Sequence, residues 1–286
     1  MSFLALVLVL AAAFIHASWN LLVKRVGGGP TFIWFFGTLS IVFYAPFVAL
    51  IILIQKPHFG PMEILFIAGS GIIHIGYFLI LQQGYRVGDL SLVYPLARGT
   101  GPTLATIGAI LILGERPSAI GLAGAVLVIT SLFIFTGGPG ALRQSGNHSA
   151  ILFGLLTGVF IATYTLWDKH AVSVLLIPPL IQDLGSSAVR SVFLSPFAVR
   201  RPAEVRALWT KYRWESIGVA VLSPLAYVLV LSAMRFTPVS YVAPAREISI
   251  VIGTFMGARL LSEGHASRRL IAAGAMVIGI AALAFG

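Results

Sequence analysis

The sequence contains no cysteine and very little charge. Without cysteine, its 286 residues offer no disulfide, no catalytic thiol and no cysteine-ligated metal site. Only 10% of the residues are charged, against about 25% in a typical soluble domain. A chain that is 58% hydrophobic, with a mean hydropathy of +0.97, lacks the polar surface needed to face water. These shortages exclude an ordinary soluble protein and predict an integral membrane protein.

The few charged residues lie mostly in short connectors between long apolar stretches. Helices of roughly 20 apolar residues match the thickness of a bilayer's hydrocarbon core. Helices are also expected because each satisfies its own backbone hydrogen bonds in lipid. The pattern predicts ten spans. They cover residues 3–23, 31–54, 62–85, 90–113, 118–136, 150–168, 176–199, 214–234, 239–261 and 267–285.

A segment of the first half, from His74 to Phe135, recurs in the second half about 150 positions later. The matching pairs are Tyr77 and Tyr227, Ser91 and Ser240, Pro95 and Pro244, Arg98 and Arg246, and Glu115 and Glu263. In each copy a proline interrupts a long apolar segment and an arginine follows within three residues. Related halves with interrupted apolar helices in matching positions point to the central site of a transporter.

The polar stretch 137–149 separates five spans from five. We therefore predict a first five-helix repeat at residues 1–140, a connector at 141–149 and a second repeat at 150–286. Because five is odd, the second copy enters the membrane from the opposite face, so the repeats are inverted. The predicted fold class is an all-α integral membrane protein with two inverted five-helix repeats around a central cavity.

Basic residues are divided unequally between the two sides of the predicted membrane. Four lie in the connectors of one side, and twelve lie in the connectors of the other. The four are Lys56, Arg116, Lys169 and Arg235, and the twelve are Lys24, Arg25, Arg86, Arg143, Arg200, Arg201, Arg206, Lys211, Arg213, Arg259, Arg268 and Arg269. Since basic connectors stay in the cytoplasm, we predict a multi-pass inner (plasma) membrane protein with both termini outside. This distribution explains the net charge of +10 without a nucleic-acid partner.

Two motifs resemble those of a known transporter family. LGERPSAIGLAGAVLVITSLFIF, residues 113–135, and the opening FIHASWNLLVKR are similar to the ten-helix EamA family of the drug/metabolite transporter superfamily. The second half has SEGHASRRLIAAGAMVIGIAAL in the matching place, without a basic residue directly after Glu263. The resemblance implies two five-helix repeats around a cavity and alternating access without ATP. The aromatic-rich middle is similar to the branch of aromatic amino-acid exporters.

Ionisable residues deep within spans are the strongest candidates for a site, because burying charge in lipid costs several kcal/mol. His74 lies near the middle of span 3, with Tyr77 on the same helical face. Tyr94 and Arg98 form the corresponding wall on span 4. We predict that these residues line the substrate cavity. The alternative for His74 is a structural hydrogen bond to a neighbouring helix.

Span 9 contributes two further charges to the predicted site. Arg246 is as deep as Arg98 but enters from the opposite face. Glu247 points about 100° away from Arg246 along a regular helix, so we expect it to pair instead with Arg98 across the pseudo-symmetry axis. That bridge is either purely structural or opens to bind substrate. We predict hinges at Pro95 and Pro244, because each removes a backbone hydrogen bond, the alternative for Pro95 being a kink that only serves packing.

Aromatic residues complete the predicted substrate-binding set. Tyr227 repeats Tyr77 in the second half, and Tyr164 lies deep in span 6. Trp19 and Trp167 lie at corresponding ends of spans 1 and 6. Tryptophan at a span's end is alternatively an interfacial anchor.

These patterns predict a secondary transporter that exports small metabolites, most directly amino acids with apolar or aromatic side chains. An arginine would bind the carboxylate, a carboxylate would bind the ammonium, and aromatic rings would hold the side chain. The alternatives are a carrier of drugs, lipophilic cations or other metabolites with the same fold, and a membrane protein without transport. We expect no enzyme activity, no metal and no cofactor. We expect a monomer whose partners are its substrate and the bilayer.

Overall fold

The structure, a computed structural model, describes residues 1–26, 29–88, 90–135, 148–256 and 266–286. Within these residues every regular element is a helix. They are α1 (Phe3–Val26), α2 (Pro30–Gln55), α3 (Pro61–Val87), α4 (Leu90–Leu111), α5 (Ala119–Phe135), α6 (His148–Ser173), α7 (Pro179–Val199), α8 (Pro202–Lys211), α9 (Arg213–Met234), α10 (Val239–Ala245), α11 (Ile248–Met256) and α12 (Ala266–Phe285). The all-α prediction is confirmed.

Five of the described helices are long and apolar enough, by length and composition, to cross a membrane. They are α1, α2, α3, α6 and α9. Two shorter apolar segments lie within α5 and α12. Each predicted span coincides with one described helix, except the ninth, which coincides with α10 and α11 together.

Proline and glycine set the ends of several helices. Pro30, Pro61 and Pro179 begin α2, α3 and α7, where the missing N–H would have had no partner in the helix. Gly114 follows α4 with φ of 68°, a left-handed backbone that favours glycine. These breakers were readable in the sequence, so most helix boundaries agree with the predicted spans.

The structure departs from the predicted spans in two places. Residues 202–211 form α8, where we expected a connector, and its 10 residues are too short to cross a bilayer. The predicted continuous span 239–261 is instead broken at Arg246 and Glu247 within its described part. Pro244 has no N–H, and the Glu247 amide bonds the Pro244 carbonyl three residues back, at 3.0 Å. This tighter turn ends the α-helix.

Helices of one half pack against helices of the other half. Each such pair has a counterpart formed by the corresponding helices of the opposite halves. Helix α3 packs on α6, and its counterpart α9 packs on α1. Across the same axis α2 packs on α7, and α5 packs on α12. This exchange of partners is what two repeats related by a two-fold axis produce.

The two ends of the chain meet at one end of the bundle. The amino group of Met1 donates hydrogen bonds to the carbonyl oxygens of Leu283 and Ala284, at 3.2 and 3.0 Å. A positive charge at the C-terminal end of a helix is favourable because that end of the helix dipole is negative. Both termini therefore lie at the same end of the bundle.

Candidate functional site

Three charged side chains meet where α4 faces the break between α10 and α11. Arg98 Nη2 lies 2.9 Å from Glu247 Oε2, and Arg246 Nε lies 3.5 Å from Glu247 Oε1. The side chains of Arg98, Arg246 and Glu247 are 12%, 11% and 1% exposed. We call these three residues the charged cluster. The predicted pairing of Arg98 with Glu247 is confirmed, and it joins the two halves of the chain.

The expectation that Arg246 and Glu247 do not pair is wrong. It assumed a regular helix, in which neighbouring side chains diverge by about 100°. The backbone instead turns between α10 and α11 at these two residues. The turn brings Arg246 back beside Glu247, so one carboxylate serves both arginines.

The charged cluster is not fully satisfied by its own hydrogen bonds. Arg98 Nη2 donates weakly to Ser249 Oγ at 3.4 Å, and Arg98 Nε has no acceptor among the described residues. Glu247 Oε2 lies at ion-pair distance from Arg98 but outside hydrogen-bond geometry. Two guanidinium groups share one carboxylate, which leaves an excess of one positive charge. The cluster therefore retains capacity for an added anionic group.

An aromatic wall, formed by His74, Tyr77, Tyr164 and Tyr227, lies beside the charged cluster. The His74 ring stacks on Tyr164 with centroids 4.2 Å apart and meets Tyr227 edge-on at 5.8 Å. Tyr77 approaches Tyr164 edge-on at 5.8 Å. The Tyr164 hydroxyl accepts a hydrogen bond from Arg246 Nη2 at 3.4 Å, which links wall and cluster. Helices α3, α6 and α9 thus bring together four residues of the predicted binding set.

A buried carboxylate that sequence reasoning did not include in the site supports the aromatic wall. Asp168 is fully buried and accepts hydrogen bonds from the Tyr227 hydroxyl at 2.5 Å and from Gln182 Nε2 at 2.9 Å. These bonds fix the position of the Tyr227 ring. The available signal was a charge in an apolar stretch, but the predicted span ended at residue 168, whereas α6 continues to Ser173.

The His74 ring donates a hydrogen bond within its own helix. His74 Nδ1 lies 2.8 Å from the Ser70 carbonyl oxygen, one turn earlier on α3. The structural alternative expected for His74 was a hydrogen bond to a neighbouring helix. Nδ1 does not make such a bond. The ring face remains in contact with Tyr164.

Tyr94 and the two predicted hinges lie close to the charged cluster in sequence. Tyr94 is half-buried on α4, one turn before Arg98. Helix α4 continues without interruption through Pro95. Pro244, by contrast, lies two residues before the break in the ninth span. The hinge assignments stay predictions.

The two tryptophans of the predicted site lie apart from the aromatic wall. Trp167 stacks on Phe66 with centroids 4.2 Å apart, and its Nε1 donates to the Phe66 carbonyl at 2.8 Å. Trp19 meets His16 edge-on at 4.8 Å and packs with the cluster around Phe32. Among the described residues, neither ring makes a ring contact with the wall. Their role in binding stays a prediction.

Glu115, in the Gly-Glu-Arg turn, binds the N-terminal end of α10. Its two carboxylate oxygens accept the backbone N–H groups of Val239 and Ser240, at 2.7 and 2.9 Å. Lys169 Nζ donates to the carbonyl of Thr237 at 3.1 Å in the preceding turn. A carboxylate at a helix N-terminus is stabilising because that end of the dipole is positive. Glu263, its repeat partner, lies outside the described residues.

Little of the charged cluster is exposed, with Glu247 at 1% and the two arginines at 12% and 11%. A pocket of about 520 Å³ lies toward one end, beside Glu115 and Lys169. Another, of about 420 Å³, lies between α2 and α8. The described residues contain no group of three metal-ligating side chains positioned for an ion. The charged cluster is not among the residues that line either of these two pockets.

An all-helical membrane fold of two repeats, with buried charges between them, is typical of membrane transporters. The sequence pattern of the EamA-like transporter family matches residues 3–137 and again residues 148–285. The chain therefore belongs to the EamA-like transporter family, whose members carry small metabolites or drugs across membranes.

Comparison with solved structures agrees with this fold. A structure described as "Crystal structure of protein" superposes with a TM-score of 0.70 at 15% identity, covering 98% of this chain and 97% of that one. At that identity the likeness establishes the fold alone. A comparison with curated proteins found no match.

Proposed function

We propose that this transporter exports amino acids with apolar or aromatic side chains. The observation that carries the proposal is a carboxylate shared by two arginines beside a wall of aromatic rings. A substrate carboxylate would replace Glu247 at Arg98, where Nε has no acceptor in the described residues. The substrate ammonium would then bind the displaced Glu247, and its side chain would lie against the aromatic wall.

The charge of the cluster favours a zwitterion over a lipophilic cation. Two guanidinium groups and one carboxylate leave one excess positive charge in a buried site. A cation bound at the charged cluster would add a second uncompensated charge there, and desolvated charge without a partner is costly. A zwitterionic amino acid brings one group of each sign. The exporter of lipophilic cations is therefore the weaker alternative.

In the proposed transport cycle, the Arg98–Glu247 ion pair connects the two halves until substrate binds. In the closed state Glu247 on the second repeat holds Arg98 on the first, at 2.9 Å. A substrate that competes for both groups opens this contact and binds in its place. Rocking of the two repeats then exposes the substrate to the other side, and bending takes place at the break between α10 and α11.

Flux measurements in liposomes test the substrate class. We expect purified protein to accelerate the flux of phenylalanine and leucine, but not of phenethylamine, 3-phenylpropionate or tetraphenylphosphonium. Arg98→Ala should reduce the flux of phenylalanine about tenfold to hundredfold, because a charge-assisted hydrogen bond in a buried site contributes about 1.5–3 kcal/mol. Arg86→Ala, which removes an exposed arginine, is the matched control.

Three outcomes would count against this proposal. No flux for any member of a broad amino-acid panel would remove amino acids as substrates. Faster flux of tetraphenylphosphonium than of phenylalanine would favour the cation carrier. Equal flux of phenylalanine and phenethylamine would show that the substrate carboxylate is not recognised.

We also propose that the side of the bundle with twelve basic connector residues faces the cytoplasm of an inner membrane. A periplasmic reporter such as alkaline phosphatase should then be active when fused after Gly286 and inactive when inserted after Thr210, within the basic connector. Activity of a cytoplasm-only reporter at Gly286 would reverse the assignment.

A further inference from the structure

Helix α8 is an addition to the second repeat. The connector between α2 and α3 has 5 residues (56–60), whereas the matching connector between α7 and α9 has 13 (200–212) and contains α8. The inverted-repeat fold does not need this helix, because the short connector joins the same pair of spans in the first half. Its extra length therefore points to a function of its own.

One face of α8 attaches the helix to the bundle. Val205 and Leu208 are three residues apart, which places them on one side of the helix, and Tyr212, directly after the helix, packs with the same cluster. Leu208 is 6% exposed and packs with Phe32 and Phe35 of α2. This amphipathic pattern is typical of a helix that lies in the plane of a membrane surface.

A groove of about 420 Å³ lies between α8, the start of α2 and the end of α7. Its walls are apolar, and one charged side chain, Arg206, lies among its lining residues. The principal walls are Trp34, Phe35, Val199, Pro202, Val205 and Trp209. Trp209 is 50% exposed and meets Phe35 edge-on at 6.3 Å. The groove thus combines apolar walls with one basic group.

Positive charge surrounds this end of the bundle. Seven basic residues lie in α8 and the adjoining ends of α1, α7 and α9, with two acidic residues among them. The basic residues are Lys24, Arg25, Arg200, Arg201, Arg206, Lys211 and Arg213, and the acidic residues are Glu204 and Glu215. One acid is already occupied, because Glu204 lies 3.5 Å from Arg201 in an exposed ion pair. The groove therefore opens into an excess of positive charge.

We propose that this groove binds an anionic phospholipid. Its acyl chain would lie between Trp34 and Trp209, and its phosphate would bind Arg206. Tryptophan side chains favour the level of the headgroups, where the apolar ring and the polar N–H are both accommodated. A basic cluster beside an exposed apolar groove complements the phosphate and the chain of one such lipid. The proposal is independent of the transported substrate.

Native mass spectrometry of the purified, full-length protein in detergent tests the lipid site. We expect dioleoyl phosphatidylglycerol to bind more tightly than dioleoyl phosphatidylcholine, which carries the same acyl chains. Arg206→Gln should weaken the binding of phosphatidylglycerol about fivefold and leave phosphatidylcholine unchanged, because one basic group near an anionic headgroup contributes about that factor. Arg86→Gln, the same charge change on α3, is the control.

Trp209→Ala provides a second, apolar test. Loss of this ring removes one wall of the groove, so both lipids should bind more weakly. Equal binding of the two lipids to the unaltered protein would overturn the proposal, as would equal effects of Arg206→Gln and Arg86→Gln. Displacement of phosphatidylglycerol by glycerol 3-phosphate at similar concentration would assign the groove to a soluble phosphate instead.

Discussion

Replacing Glu247 by alanine should lower the free energy of unfolding by about 3–5 kcal/mol, because it leaves buried charges without a partner. Glu247 is 1% exposed and is in contact with the guanidinium groups of both Arg98 and Arg246. Without the carboxylate, two positive charges face each other in a site shielded from water. The same variant should stop substrate flux, because the ammonium loses its partner and the ion pair between the two halves is lost.

A double variant separates the structural effect from the effect on transport. Arg98→Ala in the Glu247→Ala background removes one uncompensated charge, so it should cost less stability than Arg98→Ala does alone. Transport should remain absent. Thermal denaturation in detergent and flux in liposomes provide the two measurements. Glu204→Ala, which removes one member of an exposed ion pair, should change stability by less than about 1 kcal/mol. Additive effects of the two central substitutions would contradict the bridge.

Replacing Gly279 by alanine should destabilise the contact between α5 and α12 by about 1–3 kcal/mol, the usual cost of overpacking. A Cβ atom at Gly279 would lie 2.8 Å from Val128 Cγ2, 2.9 Å from the Gly124 carbonyl oxygen and 3.1 Å from the Val128 amide. Two of these neighbours are backbone atoms, which cannot move aside like a flexible side chain. The substitution therefore forces the two helices apart.

Gly274 provides a control within the same helix. A Cβ atom at Gly274 would meet no heavy atom within 4 Å, so alanine fits without displacement. Since alanine is favoured over glycine in a helix by about 0.5–1 kcal/mol, Gly274→Ala should be neutral or stabilising. The melting temperatures of the two variants in detergent measure the difference. If both variants melted together, the close approach of α5 and α12 would be wrong.

The pairing of Arg98 with Glu247 shows that the sequence repeat can predict a contact between the two halves. The correspondence of Arg98 with Arg246 placed both arginines near the pseudo-symmetry axis, and burial of charge in lipid required a partner. Glu247 was the carboxylate within reach from the other half. Each step used a rule that holds for any inverted repeat, so the contact was predictable without coordinates.

The contact between Arg246 and Glu247 shows where that reasoning failed. Helical periodicity predicts that neighbouring side chains diverge, but it does not show where a proline-containing helix stops. The turn after Pro244 depends on local backbone hydrogen bonds, and these are not specific to one sequence pattern. Asp168 was missed for a related reason, since its bonds to Tyr227 and Gln182 join residues on three different helices.

The sequence by itself determined the membrane class, the all-helical fold, the presence of two repeats and the family resemblance, because hydropathy and repetition are properties of the chain read in one dimension. Tertiary structure alone decided which residues of the predicted site are in contact. It joined four aromatic rings into one wall, gave one carboxylate to two arginines, and placed Trp19 and Trp167 apart from that wall. Such contacts depend on distances between helices far apart in the chain, and a pattern along the sequence does not contain those distances.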